Sequence, residues 1–194
     1  MKKILILSAM MLGLTACPEP CEREVLDLGK LSDEALAWSP YVNESSYSLK
    51  HSEGQEVSFE CIRAKEVRTE YMDYGDKCLE VFYEVDITNL AASYPLFSLY
   101  VFLQKTDTAS YDCGIGVGDS DFWLPTAPDD DFGQTRFDSL QIGDYWYKEV
   151  YKMGFKDIHQ YGSDDIYADS LYYNKSHGVL KILMSNEEDY EISR

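Results

Sequence analysis

An all-β domain, either an antiparallel β-sandwich or a partly open barrel, is predicted by three observations. Apolar residues alternate with polar ones at period two in the clearest segment, "CLEVFYEVDI". Apolar runs of strand length recur between short polar turns, and only one stretch carries the signals of a helix.

That helix is expected over Leu31 to Trp38. Ser32 is placed to cap it, Asp33 and Glu34 lie in the first turn where the helix dipole favours acids, and Pro40 ends it. "YSLKHSEGQEVSFECI" reads as two strands around a Glu53-Gly54-Gln55 turn. Residues 57–69 and 79–88 are expected to form a hairpin turning at Asp73-Tyr74-Gly75-Asp76. In its second strand Leu79, Val81, Tyr83, Val85 and Ile87 should face a core, with Glu80, Glu84 and Asp86 outside. "FSLYVFLQK" is apolar on both faces, as a central strand is. In "DCGIGVGDSDF" the glycines alternate, departing from a nucleotide-binding loop, so a glycine-rich strand or loop is expected. "SLQIGDYWYKEVYKM" turns at Gly143-Asp144, and "DIYADSLYYN", "HGVLKILMS" and "DYEIS" follow, joined by the polar turns "NKSHG" and "SNEEDY".

The start of the chain has a different grammar. Lys2 and Lys3 precede a mostly apolar run from Ile4 to Leu14, and the small residues Thr15 and Ala16 stand directly before Cys17. The run is too short to span a bilayer, which takes about 20 apolar residues. Leu14-Thr15-Ala16-Cys17 resembles the lipobox of bacterial lipoproteins. The resemblance implies that residues 1–16 are a signal peptide cut before Cys17, and that Cys17 is the lipid attachment site, bearing a diacylglyceryl thioether and an acylated amine. Palmitate-class chains would then hold the protein on a membrane, since each buried methylene adds about 0.8 kcal/mol. Residues 17–24 would be a tether and 25–194 a single β-rich domain.

Three further stretches, "LSDEALAWSPY", "FDSLQIGDYWYKEVYKM" and "LYYNKSHGVLKILMSNEEDYEI", resemble small lipoproteins of unassigned function from Gram-negative gut anaerobes. The matching positions include Tyr172, Tyr173, Lys175, Gly178, Val179 and Tyr190. That resemblance implies an outer-membrane address and a β-rich fold, and carries no catalytic residue. Glu19, Glu22 and Glu24 resemble acidic export tags, which leaves both the periplasmic and the cell-surface side open.

Charge and cysteine usage agree with this address. The formal net charge is -18, and removing two lysines with residues 1–16 takes it to -20. Such a polyanion repels nucleic acid, stays soluble and is expected to be monomeric. With Cys17 set aside, Cys21, Cys61, Cys78 and Cys113 are an even number suited to two disulfides in an oxidising compartment. The pairing is open, although a Cys61–Cys78 bridge would need a slipped hairpin register. A Cys78–Cys113 bridge would close a loop of about 35 residues and be worth about 3 to 4 kcal/mol.

No residue pattern demands a cofactor or a catalytic residue. GxSxG and GK[ST] are absent, and the three histidines are scattered. The chemistry-bearing candidates are aromatic and acidic. Trp123, Tyr145, Trp146 and Tyr147 are candidate ligand-binding rings for a sugar or peptide, and Asp129 and Asp131 are candidate calcium ligands in an acidic loop. The reading is a non-enzymatic binding module for protein or glycan. The alternatives are a structural or assembly component of the outer membrane, and a glycoside hydrolase working through paired carboxylates.

Overall fold

The structure, a computed structural model, describes residues 22–73, 77–92, 97–126, 133–155 and 166–193. Its elements are β1 (Glu22–Asp27), α1 (Asp33–Leu36), β2 (Ser46–His51), β3 (Glu56–Asp73), β4 (Lys77–Ala92), β5 (Leu99–Lys105), β6 (Tyr111–Val117), β7 (Ser120–Trp123), β8 (Thr135–Ile142), β9 (Tyr145–Gly154), β10 (Ala168–Asn174), β11 (Gly178–Met184) and β12 (Asp189–Ile192). The expected all-β class holds, and of the two architectures the molecule takes the barrel-like one.

All strands belong to one sheet, ordered β7-β6-β5-β4-β3-β2-β12-β11-β10-β9-β8, with β1 added parallel to β4 beyond the point where β5 stops. The sheet curls until β7 reaches β9 and β10. There Ser120 Oγ accepts from Ala168 N at 3.2 Å, and the rings of Phe122 and Phe155 lie 6.2 Å apart. The concave side of this half-barrel holds the core, among it Leu49, Phe59, Leu99, Leu103, Ile115, Leu171 and Ile182. Residues 22–24, expected in the tether, are instead part of β1.

The helix forms where its signals stand but lasts one turn. Ser32 accepts from Ala35 N at 3.2 Å, and Leu31, Ala35 and Trp38 are buried as a lid on the core. Residues of the last strands meet beneath it. Tyr173 Oη donates to the Trp38 carbonyl, and Lys175 Nζ stands 3.8 Å from the centre of the Trp38 ring. The Tyr41 hydroxyl accepts from Val179 N at 2.8 Å, lying where a side chain on Gly178, with φ of 80°, would have to go.

Three expectations need correction. The alternation in β4 does not put its acids outside, because Asp86, Thr88 and Leu90 face the main core. The buried Asp86 carboxylate is neutralised by Arg63, whose Nε donates at 2.8 Å and Nη2 at 2.9 Å, with Nη1 tying down the carbonyls of Ser39 and Tyr41. Val81 and Val85 are buried on the other face, where Leu26 of β1 lies beside Val81. A long strand that is barrel wall at one end and projecting ribbon at the other has no single core face.

Cys61 and Cys113 are not disulfide partners but buried free thiols. They sit on β3 and β6 with β4 and β5 between them, about 14 Å at the usual strand spacing, whereas a disulfide needs Cα atoms within about 7 Å. Burial pushes both thiols up, Cys113 far beyond the usual range despite the opposing pull of Lys175. Cys78, opposite Asp73 at the far end of the β3–β4 ribbon, is disulfide-bonded, and no disulfide joins two described residues. Cys17 and Cys21 lie outside the described residues.

In β9 the two-residue alternation breaks. Glu149 has φ of 51°, so Tyr147 and Val150, three residues apart, enter the same small cluster with Ile142 and Leu180. Tyr147 is therefore 2% exposed and core, not a binding ring.

Candidate functional site

The outer face of β4 to β7 carries an aromatic platform whose cause is readable in the strands. In the register of β5 and β6, Phe102 stands opposite Gly114 and Tyr100 opposite Gly116. A Cβ on either glycine would lie well under 3.0 Å from ring atoms of its partner. Each ring thus lies over bare backbone of β6, and both remain only partly buried. The alternating glycines of "CGIGVG" are there to let two aromatic side chains lie down.

The next strand supplies a wall and an acid. Trp123 of β7 pairs with Gly114, and its ring stands at 90° to that of Phe102 with centroids 5.2 Å apart. Asp121 pairs with Gly116 and accepts a hydrogen bond from Tyr100 Oη at 2.9 Å. Burial, that bond and the charges of Asp121 and Asp119 push the Tyr100 phenol up to about 12. The opposite border is β4, where Asn89 pairs with Tyr100 and Ile87 with Phe102. A shallow depression of about 450 Å³ next to Asn89 and Tyr100 extends the surface.

Chemically this is a floor of two rings, an upright ring, and polar groups on two sides. Tyr100 and Phe102 are 6.2 Å apart and tilted 34° to each other, a spacing two CH-rich faces of a ligand can cover. The outward positions from Val85 to Ala91 of β4 and along β5, β6 and β7 include Asp112 and Asp121 and no Lys or Arg. An acidic ligand would meet only like charge.

The four aromatic residues singled out in the sequence are not brought together. Trp123 is 38% exposed and in the platform; Trp146, 70% exposed, and Tyr145 project at the far tip of the β8–β9 hairpin. Phe122, next to Trp123, packs against Phe155 past the end of β9, about 30 Å of strand from Trp146. Tyr100, Phe102 and Asn89 escaped sequence reasoning. Their signal was the coincidence of an aromatic at every second residue of β5 with a glycine at every second residue of β6, which becomes a signal only once the register is known. Asp129 and Asp131 lie outside the described residues. Among the described residues no group of three or more His, Cys, Asp or Glu side chains is placed to hold a metal ion.

No family model matches this chain, and no curated protein or solved structure is detectably similar to it. The class defined by fold and site is an all-β half-barrel with an aromatic platform on its convex face.

Proposed function

We propose that this protein is a lipid-anchored binding module of the bacterial outer membrane that recognises glycans, without catalysis, on the platform of Tyr100, Phe102 and Trp123. The observation that carries the reading is the pair of rings lying over Gly116 and Gly114. A sugar ring presents an apolar CH face that stacks on an exposed aromatic face, and its hydroxyls need nearby groups that donate and accept, the role of Asn89 and Asp121. Acids without bases around the rings favour neutral or amine-bearing sugars over sulfated or uronic ones. The lipobox at Leu14 to Cys17 supports the anchor, and the field of a polyanion keeps the domain off an anionic membrane surface.

Affinity electrophoresis in gels containing a neutral β-glucan, chitosan or heparin tests the glycan reading. Retardation by a neutral or amine-bearing polysaccharide, abolished in Trp123→Ala and Phe102→Ala, is expected. Retardation by heparin alone, or by none of the three, overturns it. The anchor is tested separately by labelling with radioactive palmitate: Cys17→Ser should lose the label and leave the membrane fraction.

An assembly role at the envelope is the second reading. It is favoured by the projecting β3–β4 ribbon, where Val67 and Tyr71 are mostly exposed, Tyr71 at 71%.

A further inference from the structure

A second concavity lies beside the depression that extends the platform and shares Phe97 with it. It is a cleft of about 390 Å³, within the size range of small-molecule sites. The buried Val117, Ala168 and Tyr190 and the half-buried Phe97, Tyr167 and Met184 line it. Phe97 meets Tyr190 edge to face at 5.0 Å, so the rings form a fixed corner. Asp119 and Glu188 bring two carboxyl groups to the lining, which also holds Gly118 and Ile166 and, among the described residues, no Lys or Arg. The His51 ring lies 4.8 Å from that of Tyr190, tilted by 51°, and its Nε2 stands 3.7 Å from Glu188 Oε2.

An apolar cavity with aromatic walls and acids at its rim discriminates by charge. A neutral apolar molecule gains only burial there. An anion is repelled by both carboxylates and by the negative faces of the rings. A cation with an apolar body gains from all three, because ring quadrupoles and carboxylates attract positive charge and a partly enclosed site screens them poorly. The net charge of -18 adds a long-range field that concentrates cations at the surface. We infer that the cleft between Phe97, Tyr167, Met184 and Tyr190 is a binding site for a small organic ammonium ion with an apolar body, held by the ring faces and by Glu188 and Asp119.

Three probes of one shape test this by calorimetry on the full chain: 2-phenylethylamine, 2-phenylethanol and phenylacetate. The amine should bind at least tenfold more tightly than the alcohol, and phenylacetate not measurably. Glu188→Gln should weaken the amine about fivefold and leave the alcohol unchanged, and Glu188→Lys should abolish amine binding while its melting temperature stays near that of the parent. Equal affinity for the three probes, no binding of the amine, or amine binding indifferent to Glu188 overturns the inference. Phe102→Ala, which strips the platform, should retain the amine; its loss in that variant would place the amine on the platform and overturn the cleft as its site.

Discussion

The ring of Phe102 lies over Gly114, its cross-strand neighbour, in the space that any β-carbon there would occupy. The two residues are therefore energetically coupled. Gly114→Ala alone should destabilise the fold by about 2 kcal/mol, since the ring must leave its place. In a Phe102→Ala background the same change should stabilise by about 0.5 to 1 kcal/mol, because alanine costs less chain entropy than glycine in a strand. Urea denaturation of the four proteins in this cycle measures the sign reversal, and additive effects would show that the ring does not rest there.

A second prediction concerns alkali. Tyr100 titrates at about 12 in the fold against an ordinary 10.0, with burial the first cause and its bond to Asp121 the second. Burial raises Tyr47 and Tyr173 well above the same value. A phenol whose pKa is raised by folding contributes stability that is complete below pH 10 and is lost as pH climbs through the folded value. Stability should therefore fall from pH 10 upward, with the Tyr100 contribution gone by about pH 12. Asp121→Asn should move the Tyr100 titration only part of the way back, because burial remains. Tyrosinate absorbance against pH reads both effects.

Arg63 and Asp86 make the third. Asp86 is fully buried and Arg63 contacts it at 2.8 Å, with Lys65 Nζ at 3.9 Å the other cation near it. Arg63→Met should cost about 3 kcal/mol, since it strands a buried carboxylate and releases the carbonyls of Ser39 and Tyr41. Adding Asp86→Leu should recover part of that loss. Equilibrium unfolding of the single and double variants gives the comparison.

The thiols supply the fourth. Cys61 and Cys113 should resist alkylation in the native protein and react fully once it is unfolded without reductant, whereas Cys78 should react only after reduction. Peptide mass mapping after each step distinguishes the three. Alkylation of Cys113 in the folded protein would contradict its burial in the core.

Much of the strand layout was legible because it is local. The turns at Glu53 to Gln55, Gly143-Asp144, Ser176 and Asn186 lie where the polar and glycine signals stand, and Ser32 caps the helix it announces. Errors arose where a strand changes surroundings along its length. The apolar alternation in β4 was sound as a pattern, yet it could not reveal that Arg63 would bring a neutralising charge to Asp86. The pattern in β9 is broken by the backbone of Glu149, for which the sequence offers no glycine or proline as warning. The candidate site was legible only at Trp123, because a platform needs aromatics on neighbouring strands and the neighbours of β5 are set by sheet order.

By itself the sequence determined the all-β class, the place of most turns and the acidic field, since each depends on residues within a few positions of one another or on a simple sum of charges. Tertiary structure alone decided which face of each strand is buried, that Cys61 and Cys113 stay apart, and that Tyr100 and Phe102 lie over two glycines beside Trp123 and Asp121. Those are relations between residues far apart in the chain, and the physical reason is that strand register and sheet curl, which no local propensity encodes, fix which side chains become neighbours.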